Sequence, residues 1–140
     1  MAKKNNPKSQ FVIGSAEKLP FKKEEFDVVF VDSVFHHLFD YGIAIKEIKR
    51  VLKKRGILCF IEPHRSFLRS LLDFVCVLQV SKFIPFIKER RLAYLGEIKF
   101  MTHWLATEDE FLHVLEKRKF KEIFKMKEFL SIIGEYKKEG

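Results

Sequence analysis

Residues 26–33, FDVVFVDS, restrict the possible folds more than any other part of the sequence. They form a nearly continuous apolar run, not an alternation of apolar and polar side chains. A strand with apolar side chains on both sides is buried on both faces, which is typical of a parallel sheet covered by helices. The run ends in Asp32 and Ser33, and His36 and His37 follow closely. A buried strand therefore leads directly into a polar cluster.

The next two segments predict a helix and a second buried strand. Residues 40–54, DYGIAIKEIKRVLKK, place their large apolar side chains on one stripe and their charged side chains elsewhere, as in an amphipathic surface helix. Residues 56–63, GILCFIEP, form another apolar run with two buried faces. Residues 26–63 therefore have the pattern of a strand–helix–strand crossover unit, and we predict an α/β fold.

The remaining segments predict elements around this unit. Residues 10–14, QFVIG, are typical of a short strand, and residues 65–100 have a helical pattern rich in Phe and Leu. Residues 107–110, TEDE, form a capping box that predicts the start of another helix. Residues 120–126 and 129–136 predict two antiparallel strands that complete the sheet.

Size and charge indicate one folded domain. The sequence has 140 residues, of which 47% are hydrophobic and 33% charged, a composition typical of folded proteins and not of disordered ones. A net charge of +8 is compatible with an anionic partner but does not locate a binding site. Because the basic residues are not interleaved with aromatic residues in a recognised module, we find no strong signal for nucleic-acid binding.

The sequence also indicates a cytoplasmic protein. Cys59 and Cys76 lie in apolar runs without the spacing of a redox or metal motif, so we expect reduced thiols. No apolar stretch follows the basic start, so no signal peptide is predicted. Charged residues and a proline interrupt residues 67–87, which excludes a transmembrane helix of about 20 apolar residues. Residues 67–91 combine apolar and basic side chains, which fits either peripheral contact with a membrane or a solvated helix face.

Polar residues follow the predicted strands at the edge where ligands bind. In an open parallel sheet this edge is formed by the carboxyl ends of the strands. Residues 14–17, the Asp32 to His37 cluster and residues 62–64 should all lie there. Each also has a structural explanation, since Asp and Ser cap helices and Pro ends strands. Adjacent histidines do not readily chelate one ion, and no third ligand follows at a recognisable spacing, so we predict no metal site.

Four segments carry a resemblance to a known family. They are GSAEKLPF at 14–21, FDVVFVDSVFHHL at 26–38, KEIKRVLKKRGIL at 46–58 and FIEP at 60–63. In this order they resemble the class I S-adenosylmethionine-dependent methyltransferases, in particular the small-molecule enzymes related to ubiquinone and menaquinone methyltransferases. The resemblance implies an incomplete Rossmann-like fold, with a mostly parallel sheet, helices on both faces and a C-terminal antiparallel hairpin. Residues 1–140 would form a single domain, truncated at its N-terminus, in which residues 65–105 are a helical insertion or lid.

The sequence departs from the family pattern in three places. Ser15 replaces the aspartate that binds the adenine amino group, and Lys54-Arg55 replaces a Pro-Gly pair, which implies a remodelled turn. The family's first two strands and its glycine-rich loop have no counterpart before residue 10, so about half of a cofactor site is expected. Either residues 10–14 pair directly with residues 26–33, or an apolar strand edge remains exposed to another chain.

The resemblance implies a cofactor, S-adenosylmethionine, and a set of site residues. Methyl transfer is an in-line displacement that relies on positioning, with His36 or His37 expected to take a proton from the acceptor. Glu62 and His64 are expected on the substrate side, next to a small, apolar acceptor. The cofactor would be bound by Gly14, Ser15, Ala16, Asp32 and Ser33, with Leu19 and Phe21 nearby.

Two functions remain open at this stage. The chain is either a methyltransferase, or the substrate-side half of one, or it is a non-catalytic interaction module. As a module it would form a homodimer or bind a partner chain that completes the sheet. The absence of the glycine-rich loop leaves autonomous enzymatic activity open.

Overall fold

The computed structural model describes residues 9–67, 69–71, 74 and 85–140, with the side chains of these residues outside 85–95. The described elements follow one another as a strand, a short 3₁₀ turn, a helix, a strand, a long helix and a pair of strands. They are β1 (Phe26–Asp32), the 3₁₀ turn (Phe35–His37), α1 (Tyr41–Val51), β2 (Leu52–Pro63), α2 (Pro85–Lys117), β3 (Phe120–Lys127) and β4 (Ser131–Lys138).

The described strands form one sheet in the order β1-β2-β4-β3. β1 and β2 are adjacent parallel strands, and α1 connects them along the chain, as predicted from the sequence. β4 pairs antiparallel with both β2 and β3 and forms the C-terminal hairpin. The prediction of an α/β fold with this hairpin is confirmed. Because β4 lies between β2 and β3, the described sheet is mixed, whereas the sequence predicted a mostly parallel one.

The hydrophobic core lies on one face of this sheet. Val31 pairs in register with Phe60, and Leu58 with Tyr136, so these four side chains share a face. Both α1 and α2 contribute to the same cluster of buried side chains. Its fully buried members include Phe35, Ile45, Leu58, Phe60, Trp104, Phe111, Leu115 and Ile132.

The opposite face of the sheet differs from the prediction of helices on both faces. Val28 and Phe30 point to that side of β1 and are 52% and 60% exposed. The two long helices that the structure describes therefore cover one face. Since β1 also lies at the edge of the described sheet, its apolar outer face has neither a strand beside it nor a helix over it among these elements.

Local sequence explains where α1 begins and ends. The Asp40 side chain accepts a hydrogen bond from the Gly42 amide at 2.8 Å and caps the first turn. Lys49 and Arg50 lie in the last turn, where positive charge favours the helix dipole. β2 begins directly at Leu52, and its pairing with β1 shifts register just after that residue.

The predicted strand at residues 10–14 is not formed. Phe11, Val12 and Ile13 are 45%, 55% and 101% exposed, and this segment has no place in the described sheet. A strand needs a neighbour for its backbone N–H and C=O groups. The prediction that this segment pairs directly with β1 is therefore also wrong. Its apolar composition was not sufficient to make it a strand.

The predicted helix start at residues 107–110 is also wrong, because α2 continues through these residues without a break. The Thr107 hydroxyl donates to the His103 carbonyl at 2.8 Å and lies 2.6 Å from the Tyr41 hydroxyl, so it does not cap a helix. Met101, Trp104, Phe111 and Leu115 form one buried stripe along α2. Burial of this continuous stripe outweighs the local capping signal.

Part of the predicted helical insertion lies outside the described residues. Residues 67, 69–71, 74 and 85–100 are helical, as predicted. Cys76 and much of the segment at 67–91 proposed to contact a membrane are not described, so these predictions are untested. Within the described residues, no helix combines the length and apolar character needed to cross a membrane.

Candidate cofactor site

A cavity of about 270 Å³ lies at the carboxyl end of β1. It brings together Gly14, Ser15, Ala16 and Asp32, four of the five residues predicted to bind the cofactor. The rest of the lining is apolar. It is formed by Val12, Leu19, Pro20, Phe21, Val29, Phe30, Val31, Val34, Phe35 and Ile48.

An ion pair on α1 holds one wall of this cavity. Arg50 donates hydrogen bonds to the carbonyls of Leu19 at 2.9 Å and Phe21 at 2.8 Å. Glu47 accepts from the Leu19 amide at 3.1 Å and pairs with Arg50 at 2.8 Å. The Arg50 guanidinium lowers the pKa of the Glu47 carboxyl. The loop that carries Gly14, Ser15 and Ala16 is thereby tied to the helix.

The importance of Glu47 and Arg50 was missed in the sequence. Their position on the charged side of an amphipathic helix suggested a solvated face. The signal that could have found them is the Glu-x-x-Arg spacing inside the segment 46–58, because residues three apart on a helix are neighbours.

Ser33 lies beside the cavity and supports Asp32. The Ser33 hydroxyl donates to Asp32 Oδ1 at 2.8 Å, and its amide donates to the Ile61 carbonyl at 2.9 Å. Ser33 has a φ of 56°, in the left-handed region that non-glycine residues rarely adopt. Such a conformation costs about 1–3 kcal/mol and persists only where surrounding contacts impose it. The chain thus turns sharply as it leaves β1.

Glu62 organises the 3₁₀ turn next to the cavity. Its side chain is buried, and Oε1 accepts hydrogen bonds from the amides of Val34 at 2.7 Å and Phe35 at 2.6 Å. Its other oxygen, Oε2, lies 2.8 Å from Nδ1 of the buried His36. A carboxylate is an acceptor, so the ring donates from Nδ1 and its Nε2 is the nitrogen left for chemistry. Glu62 therefore acts on the site through His36.

His37 is exposed beside His36. The two ring centroids are 4.0 Å apart, and the His37 ring contacts Phe100 of α2 at 5.8 Å. The two histidines predicted to take a proton therefore lie together at the end of the turn, one held by Glu62 and the other open to solvent.

His64 belongs to a different ion-pair cluster. Its Nδ1 lies 2.8 Å from Glu108 Oε2, and Glu108 also contacts Lys127 at 3.0 Å and the Arg65 amide at 3.2 Å. Burial alone would raise the pKa of the Glu108 carboxyl, but these hydrogen bonds outweigh it and lower the pKa. Glu62 and His64 were predicted together on the substrate side. In the structure Glu62 contacts His36, whereas His64 contacts Glu108.

Several known proteins are similar to this chain in sequence. The sequence profile described as "Methyltransferase domain" matches residues 1–60. The demethylmenaquinone methyltransferase of Lactococcus lactis is 31% identical over 139 residues, covering 99% of this chain and 50% of that protein. The enzyme of the same name from Thermotoga maritima is 26% identical over 87 residues, covering 62% of this chain and 38% of its own length. This chain therefore spans about half or less of these curated relatives.

A solved structure shows the same fold. An S-adenosylmethionine-dependent methyltransferase from Methanosarcina mazei superimposes with a TM-score of 0.61 at 16% sequence identity, covering 94% of this chain and 68% of that one. The fold and the sequence matches together place this chain among the class I S-adenosylmethionine-dependent methyltransferases, with S-adenosylmethionine as the cofactor of the class. Among its relatives are enzymes named for the methylation of demethylmenaquinone.

Proposed function

We propose that this chain forms the acceptor side of an S-adenosylmethionine-dependent methyltransferase that acts on a small, apolar acceptor. The observation that carries the proposal is the single cavity shared by Gly14, Ser15, Ala16 and Asp32. Val34 and Phe35, which line this cavity, lead directly into His36. The relatives named for a quinone precursor support an apolar acceptor.

The residues around the cavity fit part of the cofactor. Sites for small molecules usually enclose about 300–1,000 Å³, so a cavity of about 270 Å³ suits part of S-adenosylmethionine and not all of it. Apolar walls suit a flat ring, and the Ser15 hydroxyl and Asp32 carboxylate can accept hydrogen bonds from its amino group. When bound, S-adenosylmethionine supplies an electrophilic methyl group on a sulfonium sulfur.

The chain's own residues would position the acceptor and manage its proton. His36 Nε2 accepts the proton of an acceptor hydroxyl, while Glu62 holds the ring through Nδ1 and stabilises the imidazolium that results. The exposed His37 is the second candidate for this step. Because the displacement depends on alignment, the wall held by Glu47 and Arg50 contributes by limiting movement of the loop.

The test is a calorimetric titration of S-adenosylhomocysteine into the purified chain, with its oligomeric state measured in parallel. We expect binding that Asp32→Asn weakens by about tenfold, equivalent to the loss of one hydrogen bond of about 1.4 kcal/mol. Asp27→Asn is the matched control, because Asp27 lies on the same strand, is exposed and pairs with Lys53 at the surface.

The titration separates two outcomes. Binding weakened in Asp32→Asn and unchanged in Asp27→Asn supports the proposed site. No binding by the wild-type chain up to millimolar ligand would rule out cofactor use by this chain on its own.

A second candidate function is an interaction module, favoured by the exposed apolar side of β1. Val28 and Phe30 are more than half exposed on a strand at the edge of the described sheet. A second copy of the chain that covered them would bury apolar area now in contact with water. The cytoplasmic location and the assignment of Glu62 and His64 to the substrate side stay predictions.

A further inference from the structure

The 3₁₀ turn and α2 together form a group of metal-ligating side chains that no sequence motif indicates. His36, His37 and Glu97 each offer one ligand atom, and these atoms all lie within 4.8 Å of one another. We propose that these residues bind a divalent transition-metal ion of the zinc type. No metal site was predicted from the sequence, because adjacent histidines do not readily chelate one ion and the third ligand, Glu97, lies 60 residues beyond His37. The 3₁₀ turn nevertheless brings the two histidine rings to 4.0 Å, close to Glu97.

One ligand is already oriented as in known metal sites. Histidines that bind metals usually donate their other ring nitrogen to a carboxylate, which fixes the ring and raises its basicity. His36 Nδ1 makes this contact with the buried Glu62 carboxylate at 2.8 Å, which leaves Nε2 for the ion. Glu62 is itself held by the amides of Val34 and Phe35. His36 is therefore the rigid ligand of the three.

The other two ligands can adjust to the ion. Ligand atoms of a tetrahedral site, at about 2.0–2.1 Å from zinc, lie about 3.3 Å apart, so ligand atoms now within 4.8 Å must approach by up to about 1.5 Å. His37 and Glu97 are exposed, so their side chains can rotate toward the ion. Phe100, one turn beyond Glu97 on α2, contacts His37 at 5.8 Å and Phe39 at 5.1 Å.

The ligand set selects the kind of ion. Two imidazoles and one carboxylate suit zinc, cobalt or iron, whereas magnesium and calcium prefer oxygen ligands throughout. Three protein ligands leave a fourth position for water or another small ligand. The proposal goes beyond the proposed function, because a metal on His36 and His37 would occupy the nitrogens that take up the proton. The metal-bound and transfer-competent states exclude each other.

The test is a calorimetric titration of zinc chloride into the purified 140-residue chain without any cofactor. A parallel titration with cobalt chloride reports the ligand set through its visible absorption. We expect one ion per chain, and more than about tenfold weaker binding in each of His37→Ala and Glu97→Gln. Both positions are exposed, so these variants are expected to fold.

The matched control is a second exposed histidine–glutamate pair on α2. His113 and Glu116 lie 3.8 Å apart and are 76% and 72% exposed. His113→Ala and Glu116→Gln should leave the zinc affinity unchanged. Zinc binding that is unaffected by His37→Ala and Glu97→Gln, or no binding at micromolar zinc, would overturn the proposal. The outcome does not depend on whether the chain binds S-adenosylhomocysteine.

Discussion

At the scale of single residues, two buried glutamates organise the polar side of the fold. Glu62 joins the end of β2 to the 3₁₀ turn, and Glu108 joins α2 to His64 and Lys127. Each side chain is buried, so its charged state depends on the hydrogen bonds that replace hydration. Replacing either carboxylate leaves its donors without an acceptor, which makes these positions sensitive to conservative substitutions.

Glu108 should make the stability of the fold depend on pH in the acid range. Its pKa in the folded chain is lower than the ordinary value of 4.5, so the native state binds this proton less readily than the unfolded chain does. The contribution of Glu108 to the free energy of unfolding is fully present above pH 4.5. It is lost as the pH falls through the lowered pKa of the folded chain. In Glu108→Gln, we expect a free energy of unfolding about 1–3 kcal/mol lower near neutral pH and a weaker dependence on pH below 4.5.

Urea unfolding between pH 3 and pH 7 measures this effect. Asp109→Asn is the control, because Asp109 is the next residue of α2, is 77% exposed, and its ion pairs with Arg65 at 3.7 Å and Lys127 at 3.9 Å are long. Its substitution should change the unfolding free energy by less than about 1 kcal/mol. Equal pH profiles for wild type and Glu108→Gln would contradict the assignment.

At the scale of secondary-structure elements, β2 and β4 approach through a position that only glycine can fill. A Cβ atom on Gly134 would lie 2.5 Å from Phe60 Cε1 and 2.9 Å from Tyr136 Cε2. Phe60 stacks on Tyr136 at 5.8 Å and meets Phe111 of α2 at 5.2 Å. The absence of a side chain at Gly134 therefore lets the aromatic core pack over the middle of β4.

Gly134→Ala should destabilise the fold by about 1–3 kcal/mol, because the Phe60 ring must move within a packed core. Thermal unfolding followed by circular dichroism measures the change. Gly96→Ala is the matched control, since a Cβ at this exposed helical position meets nothing within 4 Å. That substitution should stabilise the chain by about 0.5–1 kcal/mol. A stable Gly134→Ala variant would mean that Phe60 has room to shift.

At the scale of the whole molecule, the two edges of the described sheet differ in character. β3, at one edge, carries Lys121, Lys125 and Lys127, and charged edges discourage pairing with another chain. β1, at the other edge, exposes Val28 and Phe30. β3 also exposes Ile123 and Phe124, but its three lysines disfavour association there, so association of two copies is expected at β1.

Phe30→Lys tests this expectation. If β1 forms the contact, sedimentation equilibrium should show a wild-type dimer and a Phe30→Lys variant shifted to monomer, because a charge would be placed against an apolar surface. Phe124→Lys on β3 is the control, since Phe124 is 46% exposed at the opposite edge. A monomeric wild type would remove the support for the interaction module.

The sequence by itself determined the elements whose signals are local. The apolar runs of β1 and β2, the amphipathic stripe of α1 and the C-terminal strands were predictable, because strand and helix periodicity depends on nearby residues. The motifs also predicted the methyltransferase class and placed Gly14, Ser15, Ala16 and Asp32 on one side of the sheet. The structure brings these four residues into one cavity, and their role in cofactor binding stays a prediction.

Only the tertiary structure decided the features that depend on distant partners. Residues 10–14 have the composition of a strand but no neighbour in the described sheet, and the capping box at 107–110 lies within a continuous buried stripe. Likewise, the contact of Glu62 with His36 and the approach of Glu97 to His37, within 4.8 Å, join residues distant in sequence. Their physical basis is burial and packing between elements, which local patterns do not encode.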